Sequence, residues 1–344
     1  MVSLDPLATH PRPPGADRNL RTDFYAAYRP APPDLREAYA FARRVVAREG
    51  RRGRAPGHRL VWVRRGAFAA VGLVAAGDAF AIVGRHTRCT LVLPDDPAVA
   101  LRHLLVRSIS LPSGGLALRV FDLQTTLGFV LPDGSRQIAI FAEGPIAIGV
   151  GDYALVALPE GEGDLPGELP PAEMKTPAAP CEQLAAMQAA MSPYRVNARP
   201  AGNRLSRITL MPRPRVVGEA MPPSLGRLTN GGAYALTLSR GDRSATVSLA
   251  DDDLRSGVIL GRSEKCHSEM LRRITDVSTS RTHLLLLAAA ECPGLVHAYD
   301  LASTQGTFHA GAPARRVVLA DGGTALTLGR GEGAVHLSFR RVGL

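Results

Sequence analysis

The chain has few of the residues that make disulfide frameworks, metal sites and membrane spans. Aromatic residues make up 5% of its 344 residues, and its four cysteines form no Cys-x-x-Cys pair. We therefore expect no disulfide framework and no zinc site, and we expect the cysteines to be reduced and mostly buried. No apolar run reaches the roughly 18 residues that a membrane-spanning helix needs, so no segment is expected to cross a membrane.

Sequence patterns typical of enzymes are also missing. Gly329-Arg330-Gly331 lacks the lysine and the spacing of a Walker loop, no serine-nucleophile motif is present, and the histidines are scattered singly. We therefore expect no catalytic site, no metal and no cofactor. Residues 1–30 contain prolines and arginines but no apolar segment, so a secretory signal is not expected and a cytoplasmic location is predicted.

Lysine is nearly absent, yet the chain is basic. The formal net charge is +10, and every basic residue except Lys175 and Lys265 is an arginine. A basic balance favours anionic partners such as nucleic acid or phosphorylated protein. Codon bias in a GC-rich genome would equally explain the abundance of Arg, Ala, Gly and Pro, and that interpretation predicts nothing about a partner.

Residues 1–58 are predicted to be a Pro- and Arg-rich segment with one helix, residues 34–49. Pro32 and Pro33 precede the helix, Asp34 is in position to cap it, and Gly50 ends it. The helix has an apolar face at helical spacing, which consists of Leu35, Ala38, Tyr39, Ala42, Val45 and Val46. We expect this face to pack on the rest of the protein.

Two blocks of short β-rich runs follow, at residues 59–158 and 230–344. Turn residues separate the runs and no helical pattern interrupts them, which predicts antiparallel β-sandwiches. Residues 159–229 are rich in Pro and Gly at their start and are predicted to be a linker with a candidate short helix, 181–191, and a candidate strand, 204–211.

The second block repeats the first. Four features recur in the same order: Gly84-Arg85 with Cys89 as Gly261-Arg262 with Cys266, His103 as His283, Asp122-Leu123 as Asp300-Leu301, and Gly128 as Gly306. The spacing changes by a few residues only between predicted strands, where loops tolerate insertions. We therefore predict a duplication in which both copies share one fold.

The second copy resembles the forkhead-associated (FHA) domain, a β-sandwich that binds phosphothreonine through its apical loops. The resemblance rests on Gly261-Arg262, on Ser280-Arg281-Thr282-His283, and on Asp300-Leu301 followed by Ser303-Thr304-Gln305-Gly306-Thr307. It covers residues 230–342, and the repeat extends it to residues 60–158. The resemblance implies an all-β protein with two FHA-like antiparallel β-sandwiches, one N-terminal helix and a Pro/Gly-rich linker.

The resemblance also implies a phosphopeptide site in the second copy, with Arg262, Ser280, Arg281, Thr304 and Gln305. A phosphate dianion needs charge-assisted hydrogen bonds. The guanidinium groups of Arg262 and Arg281 and the hydroxyl of Ser280 would supply them, together with either the hydroxyl or the backbone N–H of Thr304. Loop support is expected from Gly261, His283, Gly306 and Thr307. Gln305 replaces the family's Asn, which commonly contacts the peptide beside the phosphothreonine, so the flanking specificity stays open.

The first copy lacks most of these donors. Arg85 and Thr126 remain, but Ala100 and Leu101 occupy the positions of Ser280 and Arg281. Leu101, Leu127 and Phe129 are expected to make its loop end apolar. Hydrogen bonds from so few donors do not offset the free-energy cost of desolvating a phosphate dianion. We therefore predict a degenerate FHA-like domain that serves packing or phosphate-independent protein contact.

These observations favour a non-catalytic adaptor or scaffold of bacterial type that binds a phosphothreonine-containing protein. The partner would be a Ser/Thr kinase substrate or a component of a larger assembly. The alternative is a structural component that uses the FHA fold without phosphate, which the degenerate first copy and Gln305 favour. Nucleic-acid binding through the arginine-rich residues 43–65 is disfavoured, because few aromatic residues are available to stack on bases.

Overall fold

The computed structural model describes residues 33–49, 55–75, 80–111, 114–123, 125, 128–160, 165–170, 172–175, 206–210, 233–264, 266, 269–275, 278–289, 294–320 and 322–342. Helix α1 (Leu35–Glu49) comes first. The strands of the first block are β1 (Gly57–Arg64), β2 (Ala67–Val74), β3 (Phe80–Gly84), β4 (Leu91–Val92), β5 (Leu104–Ser110), β6 (Leu116–Asp122), β7 (Phe129–Val130), β8 (Arg136–Gln137), β9 (Ala139–Glu143), β10 (Ile146–Val150) and β11 (Tyr153–Glu160).

Strands β12 (Ala172–Lys175) and β13 (Ser206–Leu210) follow. The second block contains the short helices α2 (Asp251–Ser256) and α3 (Glu269–Ile274) and a 3-10 turn at Gly331–Gly333. Its strands are β14 (Tyr234–Arg240), β15 (Arg243–Leu249), β16 (Val258–Leu260), β17 (Leu284–Ala288), β18 (Val296–Asp300), β19 (Thr307–His309), β20 (Ala312–Pro313), β21 (Arg316–Leu319), β22 (Thr324–Leu328) and β23 (Val335–Arg341).

Each block is a sandwich of two sheets, and the strand order is the same in both. One sheet of the first sandwich runs β2-β1-β11-β10-β7-β8, and its counterpart in the second runs β15-β14-β23-β22-β19-β20. The other sheet contains β3-β5-β6-β9 in the first sandwich and β16-β17-β18-β21 in the second. The predicted fold class of two antiparallel β-sandwiches is confirmed, and the duplication is visible strand by strand.

The segment between the blocks contributes to the first sandwich. Strand β13 pairs antiparallel with β9, and β12 pairs parallel with β13, so both extend that sheet. The candidate strand 204–211 is present as Ser206–Leu210, whereas the candidate helix 181–191 lies outside the described residues. Strand Ala172–Lys175 and the two short helices of the second sandwich do not appear in the sequence pattern, because each is too short to show a period.

Helix α1 covers the outer face of the first sandwich. Asp34 Oδ1 accepts the backbone N–H groups of Arg36 at 2.9 Å and Glu37 at 3.1 Å, which caps the helix. The buried face of the helix packs on β1, β10 and β11, and the Tyr39 hydroxyl donates to Pro166 O at 2.9 Å. The apolar face predicted from the sequence therefore has a partner within the chain.

The two sandwiches pack against each other through equivalent sheets. We call this contact the seam. Residues at equivalent positions of the two copies form most of it: Ile82, Cys89, Leu105, Phe121 and Leu123 from the first, and Ile259, Cys266, Leu285, Tyr299 and Leu301 from the second. Side chains alternate along a strand, so Leu284 and Leu286 face their own core while Leu285 and Leu287 face the seam.

Arginines of the basic run, Arg43, Arg59, Arg64 and Arg65 among them, form contacts inside the protein. Arg64 lies 3.3 Å from the Asp152 carboxylate and donates to the Tyr153 hydroxyl at 3.1 Å, and Arg59 pairs with Glu49. Arg51, Arg52 and Arg54 lie outside the described residues. In the described part of the chain, every helix is too short or too polar to cross a membrane.

Candidate functional site

Three loops of the second sandwich meet at one end of its strands. The N–H of Arg262 donates to Ser280 O at 3.2 Å, and the N–H of Ser263 donates to Arg281 O at 3.0 Å. The third loop joins them because the N–H of Thr304 donates to Ser280 Oγ at 2.9 Å. The structure therefore brings Arg262, Ser280, Arg281 and Thr304 together at one tip.

The first two loops approach so closely that position 261 must be glycine. A Cβ atom on Gly261 would lie 2.3 Å from Arg281 O and 2.8 Å from Ser280 O, and both are backbone atoms. Gly84 holds the same place in the first sandwich, where an added Cβ would lie 2.5 Å from Leu101 O. This approach puts Arg262 beside Ser280.

Most polar side chains of the tip are exposed, while Ser280 lies beneath them and is buried. Arg262, Arg281, Thr304 and Gln305 are exposed, and Ser280 is 9% exposed. Arg262 Nε donates to Thr279 O at 3.0 Å, which is the only hydrogen bond of this side chain within the described residues. The two terminal nitrogens of the guanidinium have no hydrogen-bond partner among the described residues.

His283 connects two of the loops from below. Its Nδ1 accepts the N–H of Ser280 at 3.2 Å, and its Nε2 lies 3.1 Å from Gly306 O. A neutral ring that carries its proton on Nε2 satisfies both contacts. Burial lowers the pKa of His283, which favours this neutral form. His103 makes the matching contacts with Ala100 N and Gly128 O at 3.1 and 2.9 Å.

Asp300 shapes the loop that carries Thr304. Its carboxylate accepts the Ser303 N–H at 2.9 Å, the Ser303 hydroxyl at 2.6 Å and the Thr307 hydroxyl at 2.7 Å. Ser303 Oγ in turn accepts the Gly306 N–H at 3.0 Å, and Gly306 has a φ of 82°, which favours glycine. Gly306 and Thr307 therefore lie within the loop framework.

The first sandwich keeps the framework but not the donors. Arg85 is exposed and its Nε donates to Val99 O, as Arg262 does to Thr279 O, while Ala100 and Leu101 supply no polar side chain. Thr126 and Leu127 lie outside the described residues. The prediction that Phe129 lines the loop end is wrong, because its side chain points into the core of the sandwich and is fully buried.

The two sandwiches have matching strand orders, and in both the Gly-Arg, His and Asp motifs lie on loops at the same end of the strands. These two observations decide the architecture. The chain carries two FHA-like modules in tandem. The strands of the first module run from β1 to β11, with β12 and β13 added to one sheet, and those of the second module run from β14 to β23. The recognition of a tandem FHA-like protein, made from the sequence motifs, is confirmed.

Comparison with solved structures returns FHA domains. A domain from a study of phosphothreonine-dependent FHA interactions is 26% identical, covers 32% of this chain and 99% of its own, and has a TM-score of 0.24. The FhaA FHA domain, complexed with the intracellular domain of Rv3910, is 27% identical, covers 30% of this chain and 99% of its own, and has a TM-score of 0.24. The FHA-1 domain of Mycobacterium tuberculosis Rv1747 is 20% identical, covers 31% of this chain and 100% of its own, and has a TM-score of 0.24. No family model and no curated protein matches the chain.

The cysteines of the two modules lie at the seam. Cys89 and Cys266 are buried free thiols whose Sγ atoms lie 3.3 Å from Leu101 O and Arg281 O. Burial raises the pKa of both thiols to about 11, so they stay protonated and unreactive near neutral pH. Cys181 and Cys292 lie outside the described residues. Among the residues that the structure describes, no group of three or more His, Cys, Asp and Glu side chains is placed to hold a metal.

Two arginines of the first module reach the third loop of the second module. Arg88 Nη1 donates to Ser303 O at 3.1 Å and to Thr304 O at 2.8 Å, and Arg102 Nη2 donates to Ala302 O at 2.6 Å. Neither arginine belongs to an FHA motif, so sequence reasoning missed both. Only the packing of the modules across the seam brings them to the loop, and the tip itself stays exposed.

Proposed function

We propose that this chain is a non-catalytic adaptor that binds a phosphothreonine-containing segment of a partner protein at the tip of its second module. The observation that carries the proposal is the meeting of Arg262, Ser280 and Thr304 at that tip, with the terminal nitrogens of Arg262 available to a ligand. The partner would be a protein phosphorylated by a Ser/Thr kinase or a component of a larger assembly.

The chemistry of these groups fits a phosphate dianion. Arg262 and Arg281 supply charged donors, and the hydroxyl groups of Ser280 and Thr304 supply short neutral ones. A hydrogen bond to a charged group contributes about 1.5–3 kcal/mol, so three of them separate phosphorylated from plain threonine by orders of magnitude. The threonine methyl adds about 0.8 kcal/mol over serine when it is buried.

Arginine substitutions in the two modules test the proposal. We expect Arg262→Ala to weaken binding of a phosphothreonine peptide by tenfold or more, because a charge-assisted hydrogen bond of about 1.5 kcal/mol or more is lost. Fluorescence polarisation with a phosphothreonine peptide library and its unphosphorylated counterpart measures the effect. Arg85→Ala is the matched control, because Arg85 makes the equivalent bond in the first module. Equal loss in both variants, or equal binding of the two peptide forms, would contradict the proposal.

A structural component that uses the fold without phosphate is the second candidate. The first module favours it, because His103 keeps its contacts with Ala100 N and Gly128 O although Ala100 offers no hydroxyl to a ligand. The FHA framework therefore persists in this chain where the ligand donors are gone. A partner that binds the wild type and the Arg262→Ala variant equally, before and after phosphatase treatment, would support this candidate.

A further inference from the structure

Three consecutive carbonyl groups of the third loop are bound by the first module. Arg102 holds the carbonyl of Ala302, and Arg88 holds those of Ser303 and Thr304, at distances from 2.6 to 3.1 Å. Hydrogen bonds to charged donors are shorter and stronger than neutral ones. The loop 302–305 is therefore held in place from outside its own module.

These contacts fix the direction in which the loop's N–H groups point. In a trans peptide the C=O and the following N–H point in opposite directions, and the protein has no cis peptide among the described residues. Carbonyls turned towards Arg88 and Arg102 thus turn the N–H groups of residues 303–305 away from the first module. The Ser303 N–H meets Asp300, and the Thr304 N–H meets Ser280 Oγ. The N–H of Gln305 has no acceptor in the described part of the chain, so it is available to an anion.

Arg88 is also connected to Ser280 through one peptide unit. The guanidinium donates to Ser303 O, and the N–H of the same peptide group, that of Thr304, donates to Ser280 Oγ. Hydrogen bonds in such a chain polarise one another, so the positive charge of Arg88 strengthens the Ser280 hydroxyl as a donor. Arg88 and Arg102 also place two positive charges next to the loop.

We infer that the first module is part of the phosphothreonine site of the second module, with Arg88 and Arg102 as positioning residues for the loop 302–305. The inference rests on the proposed function. It gives the degenerate module a role: it binds no phosphate itself and holds the binding loop of its neighbour. The two arginines act through the loop backbone and through their charge, without touching the ligand.

Titration of the full chain with a phosphothreonine peptide tests the inference. Arg88→Ala is expected to weaken binding about tenfold, and Arg88→Ala with Arg102→Ala to weaken it further, because charged hydrogen bonds that orient the loop are lost. Arg88→Lys, which keeps the charge and N–H donors, is expected to recover part of the affinity. Amide hydrogen exchange of Thr304, whose N–H donates to Ser280 Oγ, is expected to rise in Arg88→Ala.

Arg315→Ala is the control for the seam alone. Arg315 donates to Thr90 Oγ1 at 3.2 Å and lies 5.0 Å from the ring centre of Phe80, so it also joins the modules, but it does not bind the loop 302–305. We expect this variant to keep wild-type affinity. The inference would be overturned if Arg88→Ala and the double variant Arg88→Ala with Arg102→Ala both kept wild-type affinity. It would also be overturned if Arg315→Ala lost as much affinity as Arg88→Ala. Either result would leave the proposed function intact. No phosphothreonine binding by the wild type would overturn both.

Discussion

The two modules keep the same residues in support of their loops but differ in the side chains at their loop tips. His103 and His283 bridge equivalent loops, and Asp122 and Asp300 accept equivalent turn hydrogen bonds. Buried polar groups are costly without partners, so these bonds belong to the fold and persist whether or not a ligand binds. Ala100, at the position of Ser280, lacks both a hydroxyl that a ligand could meet and the Oγ that accepts the Thr304 N–H in the second module.

Gly261 tests how strictly the tip depends on close backbone contact. Gly261→Ala would place a Cβ atom 2.3 Å from Arg281 O, so one loop must move, and we expect a loss of about 1–3 kcal/mol of stability together with weaker phosphopeptide binding. Urea unfolding and peptide titration measure the two effects. Gly322→Ala, which meets no atom within 4 Å, is expected to leave both unchanged. Unchanged binding in Gly261→Ala would contradict the proposed geometry.

At the scale of the element, the hydrophobic pattern predicted where the helix α1 and the longer strands lie. It did not predict which surface covers each of their buried faces. The apolar face of α1 and the strand Leu284–Ala288 both stand out in the sequence. The four leucines of that strand do not alternate with polar residues, because one face meets the module core and the other meets the seam. The pattern shows burial on both faces, but it does not say which surface covers the second face.

Helix α1 is expected to contribute to stability through Tyr39. Its side chain is fully buried against the first sandwich and its hydroxyl donates to Pro166 O. We expect Tyr39→Ala to lower the free energy of unfolding by about 3–5 kcal/mol, the range for removing a large buried aromatic side chain. Chemical denaturation followed by circular dichroism measures the change. Arg36→Ala on the exposed side of the same helix is the control, and an equal effect there would rule out this packing role.

At the scale of the whole molecule, the seam joins the two copies much as an interface joins two identical subunits. Residues at the same positions of both modules meet there, as in an isologous interface. A covalent duplication keeps this contact within one chain. The seam also places Arg88 and Arg102 at the loop 302–305.

The seam is expected to make the modules unfold together. Leu285 is fully buried between them, and an unpaired carboxylate there would be strongly destabilising. We expect Leu285→Asp to lower the unfolding temperature and to resolve one calorimetric transition into two. Val318→Asp is the control, because Val318 is exposed on β21. Two transitions already present in the wild type would show that the seam does not couple the modules.

The amino-acid sequence alone determined the duplication, the sandwich fold and the tip residues Arg262, Ser280 and Thr304, because these depend on local motifs and on short-range strand patterns. The tertiary structure alone decided that the modules pack along equivalent sheets and that Arg88 and Arg102 bind the backbone of the neighbouring loop. Every residue has a main-chain carbonyl, so an arginine that binds one needs no particular side chain as its partner. This contact therefore has no sequence motif. Only the packing of the two modules brings its donor and acceptor together.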